Sequence, residues 1–370
     1  MSSEEFEEPQ PPDGRTALRP FSYHASENLV GILEHLGISL LISTYQAGRV
    51  IAVGVSQGSL NITLHTFERA MGLGVAHDRL AVGSGPQIFF LQSMPEIAAQ
   101  LEPAGKFDGC HVTRSSHVTG EVHSHELGFA GAQLWFVNTL FSCLCVLHPK
   151  LSFLPRWKPP FITTVTSDDR CHLNGMAIQD GQPRYASALG QTDTPQGWRA
   201  GKATCGCLID IANNATVATG FAMPHSPRVH HGRVWLLDSG TGRLVTVDTQ
   251  RGTSDTVAVL PGYTRGLSFA GGLAFIGLCK IRETAEFGGV PIAAQPRRLK
   301  CGVAVVELTS GRMVGLLEFT ESINEIFAVE VLPGVRCPAI SGPFVGKDNT
   351  QPVYTMPEEW IATPPPQVRP

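Results

Sequence analysis

What the chain has least of is charge. Asp, Glu, Lys and Arg make up 16% of its 370 residues, and the two signs nearly cancel to a formal net charge of -4 at pH 7. No cluster of Lys and Arg forms a stripe that would follow a phosphate backbone, so nucleic acid is excluded as a partner. Long apolar runs are missing as well. Even LGISLLIS and VWLL break within a few residues, well short of the ~20 needed to cross a bilayer. The opening MSSEEFEEPQPPDGR is acidic and proline-rich and lacks the basic start and apolar stretch of a secretory signal. Nine cysteines are an odd number for a disulfide framework. Together these absences predict a cytoplasmic protein away from membranes, with free and mostly buried thiols. Helical periodicity is scarce, and no phosphate-binding loop, GxSxG elbow or GH…WD repeat is present.

What is abundant is the material of short strands and tight turns: 42% hydrophobic residues, 39 glycines and 27 prolines. One pattern recurs, a polar residue followed after two variable positions by Gly and an apolar residue, then a turn and a β-rich run. Copies begin at Arg69 (RAMGLGVAHDRLAVGS), His125 (HELGFAGAQLWFVNT), His172 (HLNGMAIQDGQPRYASA), His225 (HSPRVHHGRVWLLDS) and Tyr263 (YTRGLSFAGGLAFIGL), with a weaker one at Ser322 to Asn324 (INEIFAVEVLPG). The first five lie 38 to 56 residues apart, the span of a four-stranded sheet with variable loops. Within VWLLDSGTGRLVTVDTQ, Ser239 to Gly242 predicts a hairpin. A single such blade cannot cover both of its faces, so the reading is an all-β, six-bladed β-propeller closed into a ring. Residues 39–67 supply three outer strands without an inner one, and Asn324 to Val331 supplies an inner strand without outer ones. The N-terminal strands should therefore pair with the C-terminal inner strand and clasp the ring. The predicted domain is 21–346, between an acidic tail at 1–20 and a Pro-rich tail at 347–370 that should stay off the core. A short peripheral helix is expected near residues 24–37, with Ser26 as N-cap and Gly37 as its stop.

Aligned on the glycine, the first repeat position reads Arg69, His125, His172, His225, Tyr263 and Ser322 or Asn324. Inner strands run along a propeller's channel, so three imidazoles from consecutive blades should converge. Such a set suits a divalent metal such as Zn, Fe, Mn or Ni with an open coordination position. Glu126 or Glu325 could then act as general base or fourth ligand, and Asn174, Tyr263 and Asn324 could contact substrate. Arg69, Arg228 and Arg265 could grip a carboxylate or phosphate. The competing reading makes the histidines structural and the charged residues a polar plug of salt bridges. His111, His117 and His123 are read as a solvated loop, with His123 the exception that could join the cluster because it is two residues from His125, and His230 and His231 are expected in a turn. Cys143/Cys145 and Cys205/Cys207 share a strand face at i, i+2 spacing and are read as buried packing.

The segments DRCHLNGMAI, MPHSPR, LWFVNTLFSCLCVL, RWKPPFI, ALGQTDTPQGWR and SGTGRL resemble an uncharacterised bacterial family with no assigned activity, over roughly residues 20–340. The resemblance implies the propeller repeat and an acidic residue two positions before the first His, where this chain has His123. At the level of fold the chain is also similar to six-bladed lactonases and streptogramin lyases. The expected function is a metal-dependent hydrolase, lyase or isomerase acting on a small, anionic molecule or peptide at the channel mouth. The alternative is a non-catalytic propeller that binds a protein or peptide on its rim, with an occluded channel and an exposed apolar patch near PRWKPPF. Oligomeric state is not encoded legibly.

Overall fold

The computed structural model describes residues 21–280, 288–294, 299–348 and 350–357. Six antiparallel sheets, each with four strands of its own, stand around a central channel. Blade one joins Ala328–Pro333 to Ile38–Thr44, Arg49–Ser56 and Ser59–Thr66. Blade two runs Ala70–Val75, Arg79–Ser84, Gln87–Ser93 and Gly109–Val118. Blade three runs Ser124–Ala130, Gln133–Asn138, Cys143–His148 and Leu151–Trp157, and blade four runs Leu173–Gln179, Gln182–Ala188, Gly206–Asp210 and Ala215–Phe221. Blade five is Pro224–His230, Arg233–Asp238, Arg243–Asp248 and Thr253–Val259, and blade six is Tyr263–Ala270, Leu273–Cys279, Gly302–Glu307 and Met313–Phe319.

The predicted clasp is present. Ile38 pairs with Pro333, Leu40 with Val331 and Ser43 with Ala328, so one blade is shared between N-terminal and C-terminal parts of the chain. Two outer edges carry a fifth strand: Tyr23–Ala25 lies antiparallel on Met313–Phe319, and Pro338–Ser341 lies parallel on Gly109–Val118. Both additions satisfy backbone groups that an edge would otherwise expose.

The repeated glycine has a packing reason. Adjacent inner strands come so close at the axis that a Cβ at Gly175 would lie 2.4 Å from Pro227 Cδ of the next blade. At Gly266, where φ is +81°, it would lie 2.4 Å from the backbone nitrogen of Val329. Between blades the core is aliphatic and aromatic. Ile51, Val53, Phe275, Val305 and Val329 are wholly enclosed where blades six and one meet. The hairpin at Ser239 forms as a 3-10 turn ended by Gly242, with Asp238 paired to Arg243.

Several local expectations change. The helix is Leu29–Leu36, with Asn28 at the N-cap position but its side chain donating to the Val314 carbonyl rather than capping the helix; Gly37 ends it at φ +63° as expected. Ser26 instead bonds the outer strand of blade six, its Oγ accepting the N–H of Leu316 at 3.0 Å. His111 and His117 lie in the strand Gly109–Val118 rather than on a loop, because the fourth strand of blade two runs longer than its polar sequence suggests. His230 ends an inner strand and stacks on Phe269 at 4.3 Å, leaving only His231 in the turn. Cys143 and Cys145 are buried with Sγ atoms 3.4 Å apart, whereas Cys205 is exposed and only Cys207 is buried. The N-terminal tail at 1–20 lies outside the described residues. At the other end, Asp348 docks on blade one, accepting the backbone N–H of Thr66 at 2.8 Å. No helix among the described residues is long and apolar enough to cross a membrane.

Candidate functional site at the channel mouth

The starts of the inner strands and the loops that precede them surround a pocket of about 290 Å³ at one end of the channel. His123, His125, His172, His225, Tyr263, Arg265 and Glu325 line it, together with Tyr45, Asp169, Trp198 and Phe327, among others. The three predicted histidines therefore meet, but from different levels. Strand pairing sets Ser124 opposite Asn138, Leu173 opposite Ala188 and Pro224 opposite Asp238, which puts His125, Asn174 and His225 one residue on at equivalent positions. His172 stands two residues earlier, level with His123 and Met223, and all three have positive φ of 48° to 53°. Bulges between Leu173 and Gly175 and between His225 and Arg228 upset a register counted from glycine.

Hydrogen bonds fix the imidazoles. His125 Nδ1 is 3.1 Å from the carbonyl of His123 and 2.8 Å from Thr139 Oγ1. In blade five, His225 Nδ1 is 2.8 Å from the carbonyl of Met223 and 3.1 Å from Ser239 Oγ. A carbonyl can only accept, so Nδ1 carries the hydrogen in both rings and Nε2 keeps its lone pair. His172 donates from Nδ1 to the Asp169 carboxylate at 2.9 Å, and that carboxylate also accepts Trp198 Nε1–H at 3.0 Å. The rings of His125 and His172 meet edge to face with centroids 4.9 Å apart. Enclosure by protein holds the His125 and His225 imidazoles well below their ordinary pKa. His172 adds to the effect at His125, and the charge of Arg265 adds to it at both.

Arg265 lies across the ring of Phe327, its guanidinium carbon 3.5 Å from the centroid. It is 8% exposed, and among the described residues no carboxylate stands within ion-pair distance and no hydrogen bond reaches it. Tyr263 packs against His225 with ring centroids 5.8 Å apart, and burial pushes its phenol up. Glu325 ties down the turn between two blade-one strands, its Oε2 accepting the N–H groups of Tyr45 at 3.0 Å and Gln46 at 3.2 Å.

The other predicted residues stand apart from this lining. Glu126 and Arg228 face each other deeper in the channel, where Arg228 Nη2 reaches Glu126 at 2.8 Å and Glu330 at 3.0 Å. Ser268 Oγ donates to Glu330 at 3.2 Å. Desolvation raises the pKa of both carboxyls, that of Glu330 to about 7. This is the arrangement of a salt-bridged plug. Asn174 is used internally, donating to the Pro224 carbonyl at 2.9 Å and accepting from Ser187 Oγ at 2.7 Å. Arg69 is exposed and pairs with Glu121, and Asn324 contributes its backbone carbonyl to Lys280 at 3.0 Å.

The sequence reasoning missed Asp169, Trp198, Phe327 and Glu330. Asp169 was signalled by an acid three residues before His172 in DDRCH, and Phe327 by its i+2 spacing from Glu325. As a metal centre the site fits in one respect only. Its Nε2 lone pairs and anchored Nδ1 atoms suit a divalent ion. Yet among the described residues no three His, Cys, Asp or Glu side chains are gathered to hold one.

One solved structure similar to this one is a chain of the crystal structure of a nidogen/laminin complex, with a TM-score of 0.51 and 9% identity. The match covers 80% of this chain and 99% of that one, and at such low identity the likeness is one of fold. No curated protein sequence matches. A family profile matches residues 27–341, the whole ring and its clasp, and the chain belongs to the family described as Domain of unknown function (DUF4915).

Proposed function

We propose that the channel mouth binds a small anionic molecule and transforms it by proton transfer. The observation that carries this reading is Arg265, an enclosed guanidinium without an anionic partner among the described residues. An enclosed, unpaired cation is costly to keep, and a carboxylate or phosphate would supply the missing partner through paired hydrogen bonds. Phe327 holds the guanidinium flat, and the faces of Trp198 and Tyr263 wall the pocket.

Within that pocket His172 is the base. Its Nδ1–H is held by Asp169, so Nε2 is the atom free to take a proton from a substrate carbon, hydroxyl or water. His125 and His225 present neutral Nε2 acceptors that orient donor groups of the substrate. Elimination, isomerisation and base-assisted hydrolysis all begin with such a transfer, so the reading covers a lyase, an isomerase or a hydrolase. The rim-docking alternative draws no support from PRWKPPF, because Trp157 and Phe161 are only half-exposed there.

The test is thermal-shift titration with acetate, oxalate, citrate, benzoate and phosphate. At least one anion should raise the Tm of the wild type and leave Arg265→Met unmoved, while His172→Gln still responds. The reading fails if no anion binds, or if binding survives in Arg265→Met.

A second reading is a divalent ion taken by His125, His172 and His225: their anchored imidazoles suit one and it would supply Lewis-acid activation of substrate or water, but it would first have to draw together three rings that are not gathered for it. Elemental analysis of protein purified without chelator, beside His172→Ala, tests it. An ion held by the wild type and lost from the variant supports it. A wild type that refuses added Zn²⁺ and Mn²⁺ removes it.

A further inference from the structure

Arg265 can hold a carboxylate, but a carboxylate alone would leave other atoms of the channel mouth unmet. Nδ1 of His225 is committed, 2.8 Å from the Met223 carbonyl and 3.1 Å from Ser239 Oγ. Nδ1 of His125 is committed in the same way to the His123 carbonyl and Thr139 Oγ1. The Nε2 of each ring has no hydrogen-bond partner among the described residues. These atoms differ from Nδ1 of His65 and His111 and Nε2 of His230, which are sealed in protein without a partner. Nε2 of His125 and His225 and the guanidinium of Arg265 open on the pocket instead.

The backbone sets His225 beside Arg265. Ser226 Oγ accepts the N–H of Gly266 at 3.1 Å and so bridges two adjacent inner strands, and the residue just before this bridge is His225 on one strand and Arg265 on the other. With one face on Phe327, its carbon 3.5 Å from the ring centroid, the guanidinium offers its N–H edge, which matches the two oxygens of a planar carboxylate. A carboxylate held there has a bare imidazole lone pair at its side.

That lone pair calls for a hydroxyl. Enclosure, and after it the charge of Arg265, holds the His225 imidazole well below its ordinary pKa, so the ring is neutral and can only accept at Nε2. An ammonium in the same place would stand beside the Arg265 charge with no unengaged carboxylate of the pocket to offset it. Asp169 already accepts from His172 and Trp198, and Glu325 from the backbone N–H groups of Tyr45 and Gln46. A methylene would strip water from the acceptor and give nothing back.

Resting on the anion reading above, we propose that the ligand of the channel mouth is a 2-hydroxycarboxylate, its carboxylate on Arg265 and its hydroxyl donating to His225 Nε2.

Four acids on the smallest skeleton test it by thermal-shift titration of the full chain: acetate, glycolate, methoxyacetate and glycine. Glycolate should reach its half-maximal shift in Tm at about one tenth of the acetate concentration or less, the worth of one hydrogen bond to an otherwise unmet acceptor. Methoxyacetate, which cannot donate, and glycine, which brings an ammonium, should gain nothing over acetate. His225→Phe keeps a ring in place and should bring glycolate down to the acetate level, while Arg265→Met should respond to none of the four. Acetate that binds with glycolate no tighter overturns the hydroxy-acid inference and leaves the anion reading standing. So does methoxyacetate or glycine binding as tightly as glycolate, or a preference for glycolate that survives in His225→Phe. The three comparisons among acids are made on the wild type, so they decide the matter even where His225→Phe does not fold. If none of the acids binds, or binding survives in Arg265→Met, the anion reading falls and this inference with it.

Discussion

Arg228 and Arg265 project from neighbouring inner strands into one channel; the first meets two carboxylates and the second meets none among the described residues. Both are largely enclosed, so solvent does not explain the difference. Arg228 spans the channel and joins blades three, five and one through Glu126 and Glu330, which is how a ring with a hollow axis is braced. Arg265, at the mouth, lies against the face of Phe327, and its charge reaches Glu126 without an ion pair among the described residues. The same side chain thus serves as a strut where its partners are built in, and as a receptor where they are left out. Natural proteins accept instability of the second kind at sites that do work.

The sharpest way to break this comparison is Arg228→Met, which leaves Glu126 and Glu330 facing each other. Urea unfolding at pH 8 should show a loss of about 3–5 kcal/mol, the usual cost of orphaning enclosed charges. A loss below about 1 kcal/mol would mean that the plug is wet and carries no load.

Next in size is the pH response of Glu330. Its carboxyl is raised from 4.5 to about 7 by desolvation, against the pull of Arg228, so between those values the folded protein holds a proton the unfolded chain has released. The stabilisation linked to that proton is complete below about 4.5 and is lost as pH rises through about 7. The difference in unfolding free energy between wild type and Glu330→Gln should therefore change by roughly 1–3 kcal/mol across that window. The depressed histidines slope the other way, contributing above 6.5 and failing as pH falls, which is why the difference between variants is the quantity to follow. A flat difference would mean that Glu330 stays ionised beside Arg228.

Arg265→Met should have the opposite sign from Arg228→Met, raising stability by about 1–2 kcal/mol because an unpaired buried charge is removed. Destabilisation would show that Arg265 has a partner in the free protein. The smallest change in stability belongs to Asp169→Asn, about 1 kcal/mol, because the amide oxygen can keep one of the two hydrogen bonds that the buried carboxylate accepts from His172 and Trp198. Anion binding through Arg265 should survive it, while any turnover should fall about 100-fold or more as His172 loses its fixed tautomer. Unchanged turnover would remove His172 as the base.

The ring and its clasp were legible because each blade repeats one strand pattern, and because residues 39–67 and 324–331 are complementary in what they lack. Register was not. A count from glycine equates His172 with His125 and His225, whereas bulges in the inner strands shift it by two residues. The site's partners were harder still. Asp169 comes from the loop before the inner strand of blade four and Trp198 from a four-residue helix between that blade's second and third strands, and nothing periodic points to them. Glu330 was visible as a residue of the weakest repeat, yet its meeting with Arg228 is a contact across the axis, between segments 102 residues apart in sequence. Glu126 and Arg228 carry charges that suggested catalysis, and only three-dimensional pairing distinguishes a strut from a reagent.

The clasp also sets an order of events. Glu325, Phe327 and Glu330 all come from the segment that closes blade one, so the wall of the pocket, the support under Arg265 and one arm of the plug arrive together. A chain still emerging from the ribosome, with five blades already formed, would own every imidazole of the site and yet have no binding pocket. Assembly of the ring and arming of the site are one step, taken last.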